Sequence, residues 1–414
     1  MLRIIPLSDA HELITRKAVR LAEAEGVVAP ILEDVRRRGD EALLEYARHF
    51  DGFTGTDVRV TAIEMDAAAG QVSPEFRAAL ETAAANIAEY ARLQMPKDTS
   101  FTFADGRRLG QLVRPLESMG AYIPAGRYPL PSTVLMTVIP AQVAGVKTIC
   151  VASPHPSLEI LAAARLLKVP HVFRMGGAQA IAALAFGTVS VPKVDRIVGP
   201  GNIYVSAAKK LLAGEVGIDF VAGPTEIVII AADGDPRHLA ADMLAQAEHD
   251  VDASSILLTT SRALAEQVAA EVARQLETLS TAAVACESIR KNSAVIIVET
   301  LEQAADVSNR LAPEHLALYD AGLLPLIQHA GSIFLGPSSP EAAGDYASGP
   351  NHVLPTSGAA RIRGGLSTAD FVKVISVQEL TPAALRSIAP AVTTLARAEG
   401  LEAHARSVEV RLGE

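Results

Sequence analysis

Cysteine is scarce: Cys150 and Cys286 are the only two in 414 residues. Two thiols so far apart in sequence make neither a disulfide framework nor a zinc knuckle, which points to a reducing, cytoplasmic setting. No run of Lys and Arg is long enough to neutralise a row of phosphates, and the formal charge of −10 argues against a nucleic-acid partner. Long hydrophobic runs are missing as well. The most apolar stretch, Ile227-Val-Ile-Ile-Ala-Ala232, has the length of a strand and cannot span a bilayer, so no membrane partner is expected. The start, Met1-Leu-Arg-Ile-Ile-Pro6, lacks the apolar centre of a secretory signal. The dinucleotide fingerprint G-x-G-x-x-G is absent too, as are internal repeats and low-complexity tracts.

Apolar residues make up 49% of the chain, enough for a large core, and the length suggests two or more lobes. Residues 1–17 read as a short N-terminal arm. Helical spacing of apolar positions recurs over 30–50 and 74–95. Asp105-Gly106 marks a hairpin. The Gly- and Pro-rich loop 120–131 leads into a helix over 132–143 that Pro140 is expected to interrupt. From 148 onward strand-like and helix-like runs alternate: strands over 148–152, 171–175, 196–198, 226–232, 255–259, 294–299 and 332–335, with helices between them. Such alternation predicts an α/β fold with parallel sheets and crossover helices. The last fifty residues read as mostly helical.

Two strand-to-helix turns, Gly176-Gly-Ala-Gln179 and Gly199-Pro-Gly-Asn202, are candidates for contact with a nucleotide, and Gly223-Pro-Thr-Glu226 is a third candidate turn. Each also reads as a plain tight turn; in the second, Tyr204 stands where a third glycine would be expected. Residues 235–249 form a helix with Asp235 at the N-cap and Pro236 at the first position. Its last turn places Gln246 and His249 on one face, as two corners of a metal site or as an ordinary helix end. Glu314-His315 pairs a carboxylate with an imidazole, suited to acid/base chemistry near neutral pH, or simply begins an element with an acidic residue. Asp345, in the loop Gly344-Asp-Tyr-Ala-Ser-Gly349, offers a hard oxygen ligand, and His352 follows it. Gln246, His249, Asp345 and His404 together make a mixed N/O set that zinc accepts, although spacing does not single these four out. The remaining histidines, His11, His49, His155, His171, His238 and His329, have no such company.

At these residues the chain resembles the histidinol dehydrogenase family. Gln246-Ala-Glu-His249, Ala312-Pro-Glu-His-Leu316, Gly344-Asp-Tyr-Ala-Ser-Gly349 with Asn351-His-Val-Leu-Pro355, and Glu399-Gly-Leu-Glu-Ala-His404 carry the resemblance. So do Pro131-Ser-Thr-Val-Leu-Met136, Gly176-Gly-Ala-Gln179 and Gly199-Pro-Gly-Asn202, in the family's order and over nearly the whole chain.

The resemblance implies oxidation of L-histidinol to L-histidine in two NAD-dependent steps through an aldehyde, the end of histidine biosynthesis. It implies one zinc per subunit on Gln246, His249, Asp345 and His404, and an acid/base pair of Glu314 and His315. By the same resemblance, NAD contacts Tyr122, Gln179 and Asn202. The substrate contacts Thr225, His352 and Glu399, together with His315 and the zinc ligands. The implied fold has two Rossmann-like lobes, one built from 18–121 and 227–367 and the other, NAD-contacting, from 122–226. The segment 368–414 is the implied helical dimerisation tail, reaching a partner whose site it completes. Thr225, where many members carry serine, Pro350 and Arg363 depart from the commonest pattern. They leave open a relative of the same fold acting on another alcohol, such as a sulfonated diol. A zinc hydrolase with Glu314 activating water is a further alternative, against which the turns at Gly176 and Gly199 speak.

Overall fold

The computed structural model describes residues 2–15, 21–125 and 128–413. The chain separates into two compact units, Met1–Gln94 with Glu117–Phe371, and Met95–Leu116 with Val372–Glu414. Among the described residues no helix is long and apolar enough to cross a membrane.

The larger unit contains two six-stranded sheets. In the first, the order is Arg3–Pro6, Ala294–Ile297, Ser254–Thr259, Glu226–Ile230, His315–Leu318, Ser332–Leu335, all parallel. The continuous apolar run read at 227–230 is explained by burial on both faces. Ile227 and Ile229 join one core cluster, while Val228 and Ile230 join another on the opposite side. The second sheet runs Arg59–Val60, His171–Arg174, Thr148–Ser153, Ser118–Tyr122, Arg196–Val198, Gly217–Ile218. It is parallel except for the antiparallel edge pair of Arg59–Val60 with His171–Arg174. Strand order reverses between Ser118–Tyr122 and Arg196–Val198, and between Glu226–Ile230 and His315–Leu318. These are the switch points where such sheets open a crevice.

The two sheets draw on strands from widely separated parts of the chain. Arg3–Pro6 is no free arm but an edge strand on Ala294–Ile297. Arg59–Val60 and Ser118–Tyr122 belong to the sheet of residues 148–218, where Ser118–Tyr122 is central, with a partner on each side.

Helix Pro131–Ala144 runs unbroken through Pro140, contrary to expectation. A proline removes the N–H that would bond the carbonyl four residues earlier. That carbonyl, on Met136, accepts instead from Asn351 Nδ2 at 2.6 Å. The 351–355 loop is thereby tied to the helix.

At Gly199, just past the strand Arg196–Val198, φ is +106° and an added Cβ would lie 2.2 Å from the Tyr122 carbonyl oxygen. Gly199→Ala combines that clash with the wrong backbone region, so it is expected to cost about 2 kcal/mol or more, read from urea denaturation.

The smaller unit is an antiparallel ribbon in the order Val372–Leu380, Arg107–Pro115, Thr99–Thr102, followed by helices Pro382–Ala398 and Glu402–Leu412 packed on each other. The expected hairpin at Asp105-Gly106 joins Thr99–Thr102 to Arg107–Pro115. The tail is not mostly helical from its start: Val372–Leu380 is a nine-residue strand, as its β-branched pattern, Val-Lys-Val-Ile-Ser-Val, favours.

Candidate active site

Two of the cavities in the larger unit gather the candidate residues. One, of about 370 Å³, is walled by Pro124, Pro200 and Gly201 from the carboxyl end of the second sheet and by Thr225, Glu314 and His315 from the amino end of the first. His249, Asp345 and His352 also line it. The first sheet thus offers its chemistry at the start of its strands, whereas open parallel sheets ordinarily use the carboxyl ends.

Glu314 and His315 are positioned by the neighbouring strand. Glu314 Oε2 accepts from the backbone N–H of Glu226 at 3.0 Å and from the Thr225 hydroxyl at 2.5 Å. Burial raises the Glu314 carboxyl above the ordinary carboxylate range, against the pull of His315. His315 Nδ1 faces the carbonyl of Glu226 at 3.2 Å, so Nδ1 carries a proton. Nε2 is buried and makes no hydrogen bond, with Asp345 Oδ1 3.5 Å away. Burial alone would lower this imidazole. The carboxylates of Glu341, Glu314 and Asp345 overcome that and hold it up to about 10.

Glu341 is a site residue that the sequence reading missed. It sits 2% exposed in the first turn of helix Glu341–Tyr346, with Oε1 3.9 Å from His315 Nδ1. Following Pro340, it has the look of an ordinary acidic helix start, and only the fold brings it to His315. Burial drives its carboxyl well above the usual range. The amide of Gln246 lies between the Thr225 hydroxyl (2.5 Å) and the Glu341 carboxylate (2.6 Å), so Glu314, Thr225, Gln246 and Glu341 form one polar chain behind His315.

The expected metal ligands fall in both units. Gln246 is fully buried; His249, one turn on, is exposed to the cavity. His249 Nδ1 lies 2.9 Å from the Ala245 carbonyl, which fixes its proton there and leaves Nε2 free to ligate. Asp345 is held below the usual carboxylate range: burial pushes it up, but His315 more than offsets this. Glu399 and His404 belong to the smaller unit, at the C-cap of Pro382–Ala398 and in the first turn of Glu402–Leu412, both exposed. Among the described residues, one trio brings ligand atoms within 4.8 Å of one another, namely His315, Glu341 and Asp345. It meets the expected quartet at Asp345. A carboxylate and an imidazole with an uncommitted Nε2, beside a buried amide, suit a borderline divalent cation such as zinc.

His352 uses both ring nitrogens: Nδ1 on the Asp345 carbonyl (2.7 Å) and Nε2 on the Thr133 hydroxyl (3.2 Å). Arg363 is committed elsewhere. It donates to Asp370 Oδ1 at 2.9 Å and to the Asp219 carbonyl, with its guanidinium 5.2 Å from the Phe220 ring centre.

The second cavity, about 520 Å³, gathers Tyr122, Gln179 and Asn202 at the carboxyl ends of the second sheet, around the switch point. Tyr122 OH accepts from the N–H of Gly177 at 3.2 Å, and burial pushes its phenol up to about 12. Asn202 caps helix Ile203–Leu212, accepting from the N–H groups of Tyr204 and Val205 at 3.0 and 3.1 Å. Gln179 Nε2 donates to Asp51 Oδ2 at 3.1 Å, which also takes the Gly176 N–H at 3.0 Å. Asp51 was invisible as a site residue in the sequence, where it only ends a helix. Pro124 lines both cavities.

A family model described as histidinol dehydrogenase matches residues 14–412. The chain is 49% identical over 416 residues to histidinol dehydrogenase of Gluconobacter oxydans, covering 97% of each. It is 50% identical over 401 residues to that of Geobacter sulfurreducens, covering 94% of each. The crystal structure of histidinol dehydrogenase from Elizabethkingia anophelis superposes with a TM-score of 0.96 at 39% identity, covering 100% of this chain and 98% of that one. An acetylating aldehyde dehydrogenase from Geobacillus thermoglucosidasius, at a TM-score of 0.50 and 13% identity, shares the fold alone. With a family match over nearly its full length and half its residues identical to those of curated members, the chain belongs to the histidinol dehydrogenase family.

Proposed function

We propose that this protein oxidises L-histidinol to L-histidine in two NAD-linked steps through L-histidinal, at a zinc site completed by a second copy of the chain. The observation that carries the reading is His315: its Nδ1 is fixed on the Glu226 carbonyl and its Nε2 is bare in the cavity beside Asp345. In the alcohol step, once a bound cation offsets the carboxylates around His315 and the ring gives up its second proton, Nε2 takes the hydroxyl proton while the carbinol hydride leaves to the nicotinamide. In the aldehyde step, Glu314 draws a proton from water as it adds to the carbonyl, and a second hydride leaves the hydrate to give the acid. Thr225 orients Glu314 through its hydroxyl. Tyr122, Gln179 and Asn202 hold NAD in the second cavity, and the shared Pro124 wall brings the two reactants side by side.

Gln246, His249 and Asp345 hold zinc, with His404 as the fourth ligand. Bound there, zinc supplies Lewis-acid binding of the substrate's imidazole and amine and a positive charge that offsets the carboxylates around His315. Exposed apolar side chains on the smaller unit, Leu395, Val410, Val374 and Ile375 among them, support its contact with a partner subunit. The commitment of Arg363 to Asp370 counts against a sulfonated substrate, since that guanidinium is already paired. A cytoplasmic setting agrees with the buried thiol of Cys150, which burial pushes up to about 12 and keeps unreactive.

The test is purified protein with zinc, NAD and L-histidinol, following NADH absorbance: two NADH should form per histidinol consumed. One NADH per substrate, or none, would refute the reading. Metal retention checks the ligands separately. Asp345→Asn and His249→Ala should each weaken zinc binding by at least the roughly 10–100-fold that loss of an outer hydrogen-bond partner already costs. Metal analysis after gel filtration reads this directly, and a full equivalent of zinc in either variant would remove that residue from the set.

A further inference from the structure

The helix Ile203–Leu212 and the segment after strand Gly217–Ile218 bury a pair of charges that the chemistry above does not use. The side chains of Lys209 and Asp219 are 2% and 0% exposed and form an ion pair. Both reach the same residue, Gly199. Asp219 Oδ2 accepts the Gly199 N–H at 2.7 Å, and Lys209 Nζ donates to the Gly199 carbonyl at 3.0 Å. Asp219 Oδ1 also takes the N–H of Phe220 at 2.7 Å.

Gly199 needs this help for a physical reason. Strand pairing beyond Arg196–Val198 stops, since Val198 is the last residue in register with Ser118–Tyr122. The chain then crosses the Tyr122 carbonyl at a φ only glycine accepts freely, leaving an N–H and a C=O inside the protein without a ladder. Two charge-assisted bonds satisfy them. Burying an ion pair is a poor way to gain stability, because desolvation consumes most of the attraction, and an apolar pair of similar volume often does as well. What the pair does supply is direction at both backbone groups of a single residue.

That residue begins the turn that separates the two cavities. Pro200 and Gly201 face the first cavity and Asn202 the second, while Tyr122, against which Gly199 packs, lines the second. Past Asp219, Phe220 and Ala222 return to the first cavity. We propose that Lys209 and Asp219 are positioning residues that lock the 199–202 turn, and so set how the nicotinamide cofactor is presented to the substrate. This inference rests on the reading of the second cavity as the NAD site.

The test compares Lys209→Met, Lys209→Gln and the double variant Lys209→Met with Asp219→Asn, as full-length zinc enzyme. The double variant removes both charges yet keeps an acceptor for the Gly199 N–H, so it avoids a lone buried carboxylate. The chain has no tryptophan, so NADH fluorescence is read without energy transfer from indole. In Lys209→Met and the double variant, the NADH dissociation constant and the KM for NAD should rise about tenfold or more, the worth of one good interaction, while the KM for L-histidinol changes less than about twofold. Lys209→Gln, which can still donate to the Gly199 carbonyl, should recover most of the loss. A fall in melting temperature with unchanged NADH affinity, or equal effects on both KM values, would overturn the proposal and leave the pair a structural one. Should the variants fail to fold, hydrogen exchange on the parent protein decides. Slow exchange at the Gly199 and Phe220 amides before NAD is added supports a preset turn; fast exchange there overturns it. Failure of the cofactor reading looks different, because then the parent enzyme itself would not bind NADH.

Discussion

Glu314→Gln is expected to keep a measurable rate of alcohol oxidation yet turn over L-histidinal about 100-fold or more below the parent, the usual scale of a lost general base. Only the aldehyde step needs water deprotonated. The amide oxygen introduced by the substitution would still accept from the Glu226 N–H, so the neighbouring ring keeps its place. His315→Asn, in contrast, removes a buried nitrogen that has no hydrogen bond and should depress both steps. Supplying L-histidinal directly separates the two, with single-turnover NADH formation as the readout. Parental turnover of the aldehyde by Glu314→Gln would take the water-activating role away from Glu314. Thr225 gives an internal control. Its hydroxyl donates to Glu314 at 2.5 Å and also meets the Gln246 amide, so a milder defect that falls more heavily on the aldehyde step is the signature of a group acting through Glu314.

How much of this was legible in the sequence depends on the range of the contact. The parallel strands at 148–152, 226–230 and 294–297 announced themselves because they are buried on both faces, whereas Arg3–Pro6, Ser118–Tyr122 and His315–Leu318 were not read as strands. The turns at Gly176 and Gly199 were likewise visible, since a left-handed or tightly packed backbone demands glycine. What failed was whatever a distant segment decides. Pro140 reads as a helix breaker until Asn351, 215 positions beyond Met136, supplies the donor that the Met136 carbonyl needs. The strand Val372–Leu380 pairs with Arg107–Pro115, far upstream, and its β-branched run was passed over in favour of the helical pattern that follows it.

The same division runs through the site. Glu314-His315 stood out as a pair, but its orientation comes from the adjoining strand, whose Glu226 carbonyl holds His315 Nδ1. Glu341 and Asp51 look like ordinary acidic residues at helix ends; a buried imidazole in one case and a glutamine amide in the other make them part of a cavity. Lys209 lies in the last turn of a helix, where a lysine ordinarily meets solvent and the helix dipole. Its burial appears only once Asp219 is folded against it.

The last expected result concerns His404. In the smaller unit it is an exposed imidazole on a short helix, and the same unit carries exposed apolar side chains that a subunit contact would cover. If the tail completes the partner's site, His249→Ala and His404→Ala are each inactive as homodimers but complement one another. In a mixed dimer, one site combines the altered His249 of one chain with the altered His404 of the other and is dead. The second site combines both intact residues and works. Random exchange makes about half of the dimers mixed, each with one working site of two, so roughly a quarter of the parental activity returns. If His404 serves its own chain, every site in every dimer keeps one lesion and nothing returns. Co-refolding the two variants, with native mass spectrometry to show that heterodimers formed, distinguishes these outcomes. Zinc content gives a second reading of the same experiment: about a quarter of the sites should also regain tightly held metal, because the intact site needs both histidines at once.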